Sequence, residues 1–486
     1  MSLTDFSDFV AHSIQHFEEG LIRAGFTEGD KGWKGYVEHP TGPTLVAISL
    51  PAYFPFKPPQ VVPVHRESVP WSWHRELNGA LCLVAEDDHE DLWWREASVF
   101  LEHVRAWFES SDDGWRGDRP DLDLERYFHS SQDERLYLYG DLDEYRGAFV
   151  RFVQTPNNVM TLKSKGPRPA KAAKRDRFGF VADLGGIDVP PRNWDDLLAR
   201  IDVALNLEKK IRAFSVEILV LTYKRGDHEG TIVVEVWPTT DGRIEVRRLR
   251  SGADTRIARS ARSGPHSAEL STRSVAVVGL GALGSFLADM LVRAGVGKLT
   301  LIDDDVVMPG NLIRHLVGPK GVGQPKVDAV QSHIISKHRL AADQVDARRQ
   351  NALASHVALD AIKDHDLVIN ATADFAVTAL LHAAATALNR HVLSTALQNN
   401  GNTFRIDVLP PLVGGAPIPE SATPENAQNS DYYDAGCGGP ISPTTPHAVV
   451  ETAAATVRHA VGLLLGEPVH LSGEVRHLTR RSGATE

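Results

Sequence analysis

Cysteine is almost absent from this chain of 486 residues, which contains only Cys82 and Cys437. Two thiols so far apart in the sequence can build neither a disulfide framework nor a cysteine-rich zinc site by themselves. If either cysteine has a function, we expect it to act singly, as a nucleophile.

The sequence also lacks an apolar run that approaches the ~20 residues needed to span a bilayer. Its first residues, MSLTDFSDFVAHSIQHFEEG, are acidic and amphipathic, whereas a secretory signal has a basic start and an uninterrupted apolar stretch. These patterns predict no membrane segment and a cytoplasmic location.

Basic residues are fewer than acidic ones, 52 against 63, so the formal net charge is -11. Binding to nucleic acid depends largely on Lys and Arg side chains that displace phosphate counterions, so we expect no nucleic acid as the main partner. One basic stretch, residues 163–177, is the exception, and its composition favours a solvated loop or linker.

Length and pattern together predict about three domains, at roughly 150 residues each. The first, residues 1–125, begins with an amphipathic helix, continues with the strands YVEH and LVAISL as an antiparallel pair, and closes with a helix near residues 94–109. The second, residues 126–260, combines a helix in WDDLLARIDVALNLEKK with the strands FSVEILVLT, TIVVEVW and RIEVRRL. Both are predicted to be α+β modules, and no function follows for the second.

The third predicted domain, residues 261–486, follows a stretch rich in Ser, Arg, Gly and Ala that has no periodicity. Strands and helices then alternate, which is the pattern of a mostly parallel α/β sheet of the Rossmann-like type. The predicted fold class is therefore α/β for the C-terminal domain, preceded by two α+β modules.

A glycine-rich turn follows the first strand of this domain, in SVAVVGLGALGSFLADMLVRAG. Gly279 permits a tight turn, Gly281 allows close approach of backbone to a phosphate, and Gly284 lets the helix pack on the sheet. The helix N-terminus would face the anion, and Asp303, at the end of the next strand, is placed to bind ribose hydroxyls. This fingerprint suits NAD or FAD as well as ATP.

Polar residues downstream separate these possibilities. NLIRH supplies Asn311 and Arg314, and GQPK supplies Lys326. Cations of this kind can stabilise the charge that develops when a carboxylate attacks the α-phosphorus of ATP and pyrophosphate leaves, a need that a dehydrogenase does not have. The strand DLVINATAD is predicted to end at Asp374, where a carboxylate could hold Mg²⁺.

These segments, GLGALG, LIDDD, NLIRH, GQPK and the strand before Asp374, resemble the ThiF/MoeB/ubiquitin-activating superfamily in order and spacing. The resemblance implies that Gly281, Asp303, Asn311, Arg314 and Lys326 contact ATP and that Asp374 binds the metal ion. One departure concerns the metal site, because the family often has Cys-Thr-Asp where this chain has Ala-Thr-Ala-Asp at residues 371–374. The family commonly dimerises through this domain, so the resemblance also implies a homodimer.

Cys437 lies in DAGCGGP, directly before an apolar segment, HAVVETAAATVRHAVGLLL, that is predicted to be a helix. Its neighbouring glycines leave the sulfur accessible and let backbone N–H groups face a developing charge. In many members of the superfamily a cysteine before the last helix receives the activated acyl group as a thioester, and the resemblance implies this role for Cys437. The alternative is a structural or idle thiol.

Residues 1–110 resemble a ubiquitin-conjugating domain. The similarity lies in the opening helix, LVAISL, PAYFPFKPP, NGALCL, a tryptophan pair and the closing helix, and it implies that Cys82 forms a thioester. The usual His-Pro-Asn is replaced by Trp73-His74-Arg75, so that Asn78 or His74 would have to stabilise the oxyanion. The alternatives are a small buried Cys82 and a non-catalytic adaptor that docks a ubiquitin-like partner.

Together these motifs resemble bacterial fusions of conjugating and activating enzymes, as in antiphage (CBASS) and related ubiquitin-like operons. The expected enzyme uses ATP and Mg²⁺ to adenylate the C-terminal carboxylate of a ubiquitin-like protein. The acyl group would pass to Cys437, then to Cys82, and finally to an amine of a target protein. Two rivals are adenylation of a sulfur-carrier protein, with a non-catalytic N-terminal module, and an NAD-linked oxidoreductase.

Overall fold

The structure, a computed structural model, describes residues 3–30, 32–84, 92–116, 122–201, 206–420 and 444–478. Cys437 and residues 85–91 lie outside these residues. The chain forms two compact units, Met1–Thr255 and Arg256–Glu486.

The first part of the first unit is a four-stranded antiparallel meander with two helices. Its elements are α1 Leu3–Arg23, β1 Thr27–Gly29, β2 Gly32–Val37, β3 Thr44–Ser49, β4 Gln60–Pro63 and α2 Ala97–Asp112. The predicted strand pair is present, with Val37 opposite Thr44. One face of each helix packs on the sheet through a core that includes Phe17 of α1 and Phe100 of α2.

The rest of the first unit is a mixed eight-stranded sheet in the order β11-β10-β9-β8-β6-β7-β5-β12. Its elements are β5 Leu136–Tyr139, β6 Phe149–Thr155, β7 Val159–Lys165, β8 Arg177–Gly186, α3 Trp194–Leu198, α4 Leu207–Arg212, β9 Ile218–Arg225, β10 His228–Pro238, β11 Ile244–Arg248 and β12 Ser251–Ala253. The three strands predicted here are present as β9, β10 and β11.

The single helix predicted for WDDLLARIDVALNLEKK is wrong. Helix α3 ends at Leu198, and α4 begins only at Leu207. Asn206, which precedes α4, has a φ of 47°, in the left-handed region, and that conformation cannot belong to a continuous right-handed helix.

The second unit is a seven-stranded sheet in the order β15-β14-β13-β16-β17-β18-β19, in which the first five strands are parallel. Its elements are α5 Arg256–Ser260, α6 Ser267–Leu270, β13 Ser274–Val278, α7 Ala282–Ala294, β14 Lys298–Ile302, α8 Lys326–His338, β15 Val345–Arg348, α9 Ser355–Asp364, β16 Leu367–Asn370, α10 Phe375–Ala387, β17 Val392–Gln398, β18 Thr403–Leu409, α11 Pro446–Leu465 and β19 Gly473–His477. The strand order reverses between β13 and β16, which is where open α/β sheets bind ligands. The predicted α/β fold class is confirmed.

Helices cover both faces of this sheet because its central strand is apolar on both sides. Val275 and Val277 of β13 pack in one core with α7, α8 and α11. Ala276 and Val278, whose side chains alternate with them, pack in the other core with α9 and α10.

Helix α11 is long and apolar enough to cross a membrane by length and composition, and it is the only such helix among the described residues. About half of it, 56% of its most apolar window, is buried inside the unit. Val449, Ala453 and Ala460 belong to the same core as β13. We therefore regard α11 as a core helix of the folded unit.

Candidate functional site

The glycine loop between β13 and α7 is held against the end of β16. Gly279 has a φ of 87°, and a Cβ atom there would lie 2.8 Å from the backbone nitrogen of Thr372. Gly281 is the N-cap of α7, with open space where a side chain would be. Gly284, in the first turn of α7, packs against Gly279. The loop thus places backbone atoms that no side chain covers at the point where the strand order reverses.

An open cleft of about 230 Å³ lies at this point. Its lining comes from the carboxyl ends of β13, β14, β15 and β16 and from the first residue of α8: Gly279, Gly281, Ile302, Asp303, Asp304, Asp305, Lys326, Gln350, Ala352, Ala371 and Thr372. Four of the predicted nucleotide-binding residues, Gly279, Gly281, Asp303 and Lys326, therefore meet in one cleft.

Asp303 joins the glycine loop to the loop after β14. Its Oδ2 accepts a hydrogen bond from the backbone N–H of Leu280 at 2.6 Å, and its Oδ1 accepts one from that of Asp305 at 2.8 Å. Because each carboxylate oxygen has two lone pairs, Asp303 can still accept hydrogen bonds from ribose hydroxyls.

Lys326 brings a positive charge to the cleft. Its Nζ lies 2.5 Å from Oδ2 of Asp305, and its side chain is only 11% exposed. Burial by itself raises the pKa of Asp305, but the hydrogen bond from Lys326 outweighs this and holds the pKa below its ordinary value. The lysine charge is therefore balanced by that of Asp305.

His315, the last residue of NLIRH, forms a hydrogen bond with the backbone of the glycine loop. It is buried, and its Nε2 lies 2.8 Å from the carbonyl oxygen of Leu280. Its Nδ1 accepts a hydrogen bond from the backbone N–H of Val317. Since Nδ1 is an acceptor, Nε2 carries the proton and donates to Leu280. Burial lowers the pKa of His315, which favours this neutral form.

Asn311 and Arg314 do not line this cleft. Asn311 accepts a hydrogen bond from the backbone N–H of Met308 and so stabilises its own turn. Nη1 of Arg314 donates to the carbonyl oxygen of Thr444 at 3.3 Å. Their proposed contacts with ATP stay predictions.

Asp374 lies at the start of a helix and not at the end of a strand as predicted. β16 ends at Asn370, whose side-chain oxygen accepts hydrogen bonds from the N–H and hydroxyl of Thr372. Ala373 then turns the chain with a φ of 55°. The Oδ1 atom of Asp374 accepts hydrogen bonds from the N–H groups of Ala376 and Val377, which caps α10.

No group of three His, Cys, Asp or Glu side chains suited to a metal ion occurs in the part of the chain that the structure describes. Mg²⁺ at nucleotide sites needs only one or two carboxylates, because phosphate oxygens and water supply the other ligands. Both capping bonds of Asp374 go to Oδ1, and Asp374 is not among the residues that line the cleft. Its role as a metal ligand stays a prediction.

Cys82 lines a second cavity, of about 600 Å³, in the first unit. Its backbone N–H donates to the carbonyl oxygen of His74 at 2.9 Å, which fixes the segment that carries the thiol. The thiol is half-buried and forms no disulfide. The cavity wall is largely apolar and includes Pro58, Leu81 and Val84.

A partly exposed ion pair lies beside this thiol. Nη2 of Arg126 is 3.1 Å from Sγ of Cys82 and 2.5 Å from Oε1 of Glu76. Burial by itself lowers the pKa of Arg126, but its contacts with Cys82 and Glu76 outweigh this and raise it. Arg126 is therefore positively charged beside the thiol at neutral pH.

The residues that replace His-Pro-Asn have structural partners. Arg75 is 2% exposed and donates hydrogen bonds to the carbonyl oxygens of Gly79 and Val69. The His74 ring stacks on Trp115 with 3.5 Å between ring centroids. The side-chain oxygen of Asn78 accepts from the N–H of Ala80, although Asn78 also lines the cavity.

Sequence reasoning missed several residues at both sites. Gln350 and Thr372 follow β15 and β16, so the rule that ligands bind at the carboxyl ends of parallel strands would have found them. Arg126 could not be found in this way, because 44 residues separate it from Cys82 and it belongs to no motif.

Comparison with known proteins shows a similarity for the second unit. Residues 256–482 match the ThiF family. Three curated relatives are similar to parts of this chain. It is 44% identical over 70 residues to the uncharacterized protein y4oA of Sinorhizobium fredii, covering 14% of this chain and 12% of that protein. It is 40% identical over 77 residues to the ATP-dependent ubiquitin transferase-like protein Cap2 of Pseudomonas aeruginosa, covering 15% and 14%.

The third relative is the molybdopterin-synthase adenylyltransferase of Escherichia coli, which is 40% identical over 126 residues, covering 25% of this chain and 48% of that protein. The chain thus spans less than half of the length of each of these relatives. Among solved structures, the crystal structure of Escherichia coli MccB aligns with 44% of this chain and 64% of that one, at 17% identity and a TM-score of 0.35.

Proposed function

We propose that the ThiF domain uses ATP to adenylate the C-terminal carboxylate of a partner protein. The observation that carries this proposal is the cleft at the switch point of the sheet, where the glycine loop, Asp303 and Lys326 meet. A carboxylate oxygen of the partner attacks the α-phosphorus, the bond to the bridging oxygen breaks, and pyrophosphate leaves with the electron pair.

Each part of the cleft has a task in this reaction. The N-terminus of α7 faces the phosphates and favours negative charge. Asp303 accepts hydrogen bonds from the ribose hydroxyls. Lys326 exchanges Asp305 for phosphate oxygens and stabilises the charge that develops on pyrophosphate.

Lys326 is the feature that favours ATP over NAD. A dinucleotide cofactor places a pyrophosphate on the glycine loop and has no further phosphate for a cation beyond it. Mg²⁺, held by phosphate oxygens and Oδ2 of Asp374, would neutralise phosphate charge when bound. Arg314 and Asn311 would contact the nucleotide once it is present, and the active form would be a homodimer.

We further propose that the acyl group moves from the adenylate to Cys437 and then to Cys82, from which a target amine takes it. Each transfer forms one carbonyl–sulfur bond and breaks one bond to the previous carrier, and so divides a difficult reaction into easier ones. Support comes from the thiol of Cys82 at the wall of a cavity and from the similarity to a ubiquitin transferase-like protein.

A second candidate keeps adenylation and drops conjugation. The similarity to molybdopterin-synthase adenylyltransferase favours a sulfur-carrier protein as the substrate. The first unit would then be an adaptor, and its Cys82 would never carry an acyl group.

Binding of ATP and of NAD⁺ to the full chain, measured by calorimetry, tests the nucleotide proposal without knowledge of the partner. We expect ATP to bind and NAD⁺ not to, and Lys326→Ala to weaken ATP binding by about tenfold or more, as loss of a charge-assisted contact predicts. Lys320→Ala, an exposed lysine outside the cleft, is the control. Tighter binding of NAD⁺ than of ATP would reject adenylation.

The transfer steps are tested with ATP, Mg²⁺ and a ubiquitin-like protein, on gels with and without reductant. A reductant-sensitive adduct that is lost in Cys82→Ala supports conjugation through Cys82. An adduct that forms on Cys437 and persists unchanged as product in Cys82→Ala supports the sulfur-carrier alternative. Adducts that persist in the double variant Cys82→Ala, Cys437→Ala would reject the thioester relay.

A further inference from the structure

The contact between Arg126 and Cys82 has no counterpart in the motifs that suggested the thioester role. Arg126 lies in a short 3-10 helix, Leu124–Tyr127, which precedes the eight-stranded sheet. Its guanidinium crosses to the cavity of Cys82, where it is 20% exposed. A positive charge is thus supplied from outside the segment that resembles a conjugating domain.

The 3-10 helix is fixed from three directions. Leu124 and Tyr127 are fully buried in the core beneath the eight-stranded sheet. The hydroxyl of Tyr127 donates to the carbonyl oxygen of Trp73 at 2.5 Å. The carboxylate of Glu125 pairs with Arg248 at 3.1 Å. Arg126 therefore approaches the thiol from a rigid support.

Glu76 determines how the guanidinium is oriented. It comes from the segment that leads to Cys82, and its carboxylate accepts from the same Nη2 that lies 3.1 Å from Sγ. Arg126 thereby contacts two acceptors, the carboxylate of Glu76 and the sulfur of Cys82, whose thiol can become an anion. A guanidinium has five N–H donors in a fixed plane, so it can serve both at once.

We propose that Arg126 stabilises negative charge at Cys82, first on the attacking thiolate and then on the oxyanion that forms when the acyl group is attacked. A neighbouring cation favours a thiolate over the neutral thiol. When Sγ carries an acyl group, the carbonyl oxygen is two bonds from the sulfur, within reach of the same guanidinium. Arg126 would thus fill the part that the missing asparagine leaves vacant.

The chemistry balances with groups already named. The thiolate attacks the acyl carbon of the upstream carrier, a carbon–sulfur bond forms, and the electron pair leaves with the carrier. When an amine attacks later, the carbon–sulfur bond breaks and the pair returns to Sγ, where Arg126 again faces the charge. The amine proton passes to solvent.

The role in acyl transfer rests on the proposed function, whereas the effect on the thiol can be measured without ATP or a partner. The described charged or titratable groups that contact the thiol or line its cavity are Arg126, Glu76, Lys57 and His129. Of these, Arg126 is the one whose contact with Sγ is a hydrogen bond.

The experiment uses the full chain with Cys437→Ser, which leaves Cys82 as the single thiol. The rate of alkylation by iodoacetamide is followed from pH 5 to 10. In Arg126→Gln we expect the midpoint of the pH–rate curve to rise by about one pH unit or more, as removal of a neighbouring opposite charge predicts. The midpoint is the proper readout, because a less acidic thiolate is also a stronger nucleophile and partly masks the change at one pH.

Two variants separate charge from packing. Arg126→Lys keeps the charge and should restore most of the midpoint, even where Arg126→Gln lowers thermal stability. Arg105→Gln removes an exposed arginine from α2 and should leave the midpoint unchanged. Equal midpoints in the parent and in both Arg126 variants would overturn the proposal.

The alkylation experiment and the test for an ATP-dependent adduct on Cys82 can fail independently of each other. A raised midpoint without any ATP-dependent adduct on Cys82 would uphold the role of Arg126 and reject conjugation. An adduct on Cys82 with an unchanged midpoint in Arg126→Gln would uphold conjugation and reject the role of Arg126.

Discussion

Gly284 lies so close to Gly279 that a Cβ atom on Gly284 would be 1.8 Å from the carbonyl oxygen of Gly279. No flexible side chain can give way there, because the obstacle is backbone. Gly281, midway between them, has nothing within 4 Å of its own Cβ position. Gly284 is therefore required by packing within the protein, whereas at Gly281 the protein itself leaves room for a side chain.

Alanine substitutions at these two positions should differ in whether they lower the thermal midpoint of the protein itself or only its increase on addition of ATP. Gly284→Ala should force the loop away from α7 and lower the thermal midpoint, with loss of ATP binding as a consequence. Gly281→Ala should retain the thermal midpoint of the ATP-free protein and lose the increase that ATP produces. Thermal unfolding with and without ATP measures both, and a Gly284→Ala protein as stable as the parent would contradict the packing described.

His315 should matter through the carbonyl of Leu280 that it holds. His315→Ala leaves this buried oxygen without its donor, so we expect a loss of about 1–3 kcal/mol in the free energy of unfolding of the second unit. ATP affinity should fall as well, because the loop loses its support. Denaturant unfolding and calorimetry measure the two effects. His356→Ala, an exposed histidine of α9, should change neither.

Ala373 adopts a left-handed conformation that favours glycine. Ala373→Gly should raise the free energy of unfolding by up to about 1 kcal/mol, because it removes the steric cost that Cβ brings at a φ of 55°. Ala383→Gly, on the exposed side of α10, should lower it by about 1 kcal/mol. Urea unfolding of both variants would show changes of opposite sign, and a loss in Ala373→Gly as large as that in Ala383→Gly would count against the turn.

Asp289 gives the stability of the second unit a defined pH dependence. It is 4% exposed on α7 and pairs with Arg293, Lys337 and His338. Burial by itself raises the pKa of Asp289, but the three hydrogen bonds outweigh it and hold the pKa below its ordinary value. The carboxylate therefore stabilises the fold fully above an unfolded-state pKa of about 3.9, and this contribution is lost as pH falls through the folded-state pKa.

Asp289→Asn should remove that contribution and leave a cluster of cations without a counter-charge. We expect a loss of about 2 kcal/mol at pH 7, because the buried carboxylate loses its charge-assisted hydrogen bonds while Arg293 and Lys337 are partly exposed to solvent. The difference between the variant and the parent should shrink as the pH is lowered below 4. Urea midpoints from pH 3 to 7 test this, and a difference that stays constant over the range would argue against the ionised carboxylate.

The cleft of the second unit could be predicted from the sequence because the residues that form it lie close together in the chain. A glycine turn after an apolar strand and an acid at the end of the next strand place Gly279 and Asp303 together in any doubly wound sheet. Asp374 shows where this reasoning fails. Its position depends on the turn at Ala373, and an apolar run does not reveal that its last residues have left the strand.

The surroundings of Cys82 were beyond prediction for a different reason. The thiol was found from its motif, but the charge beside it comes from Arg126, in the 3-10 helix that precedes the eight-stranded sheet. Likewise, the break between α3 and α4 depends on backbone conformation at Asn206, which periodicity does not report. Contacts between elements remote in sequence need the fold itself.

The 3-10 helix Leu124–Tyr127 has a consequence for how this protein can be divided and recombined. A fragment that ends at residue 125 would keep the thiol and leave behind the guanidinium beside it, along with the hydroxyl that holds Trp73. Grafting the thiol-bearing segment onto another protein would meet the same difficulty. The piece of chain that can be exchanged intact is the whole first unit, Met1–Thr255, so gene shuffling or engineering would have to move it as one block.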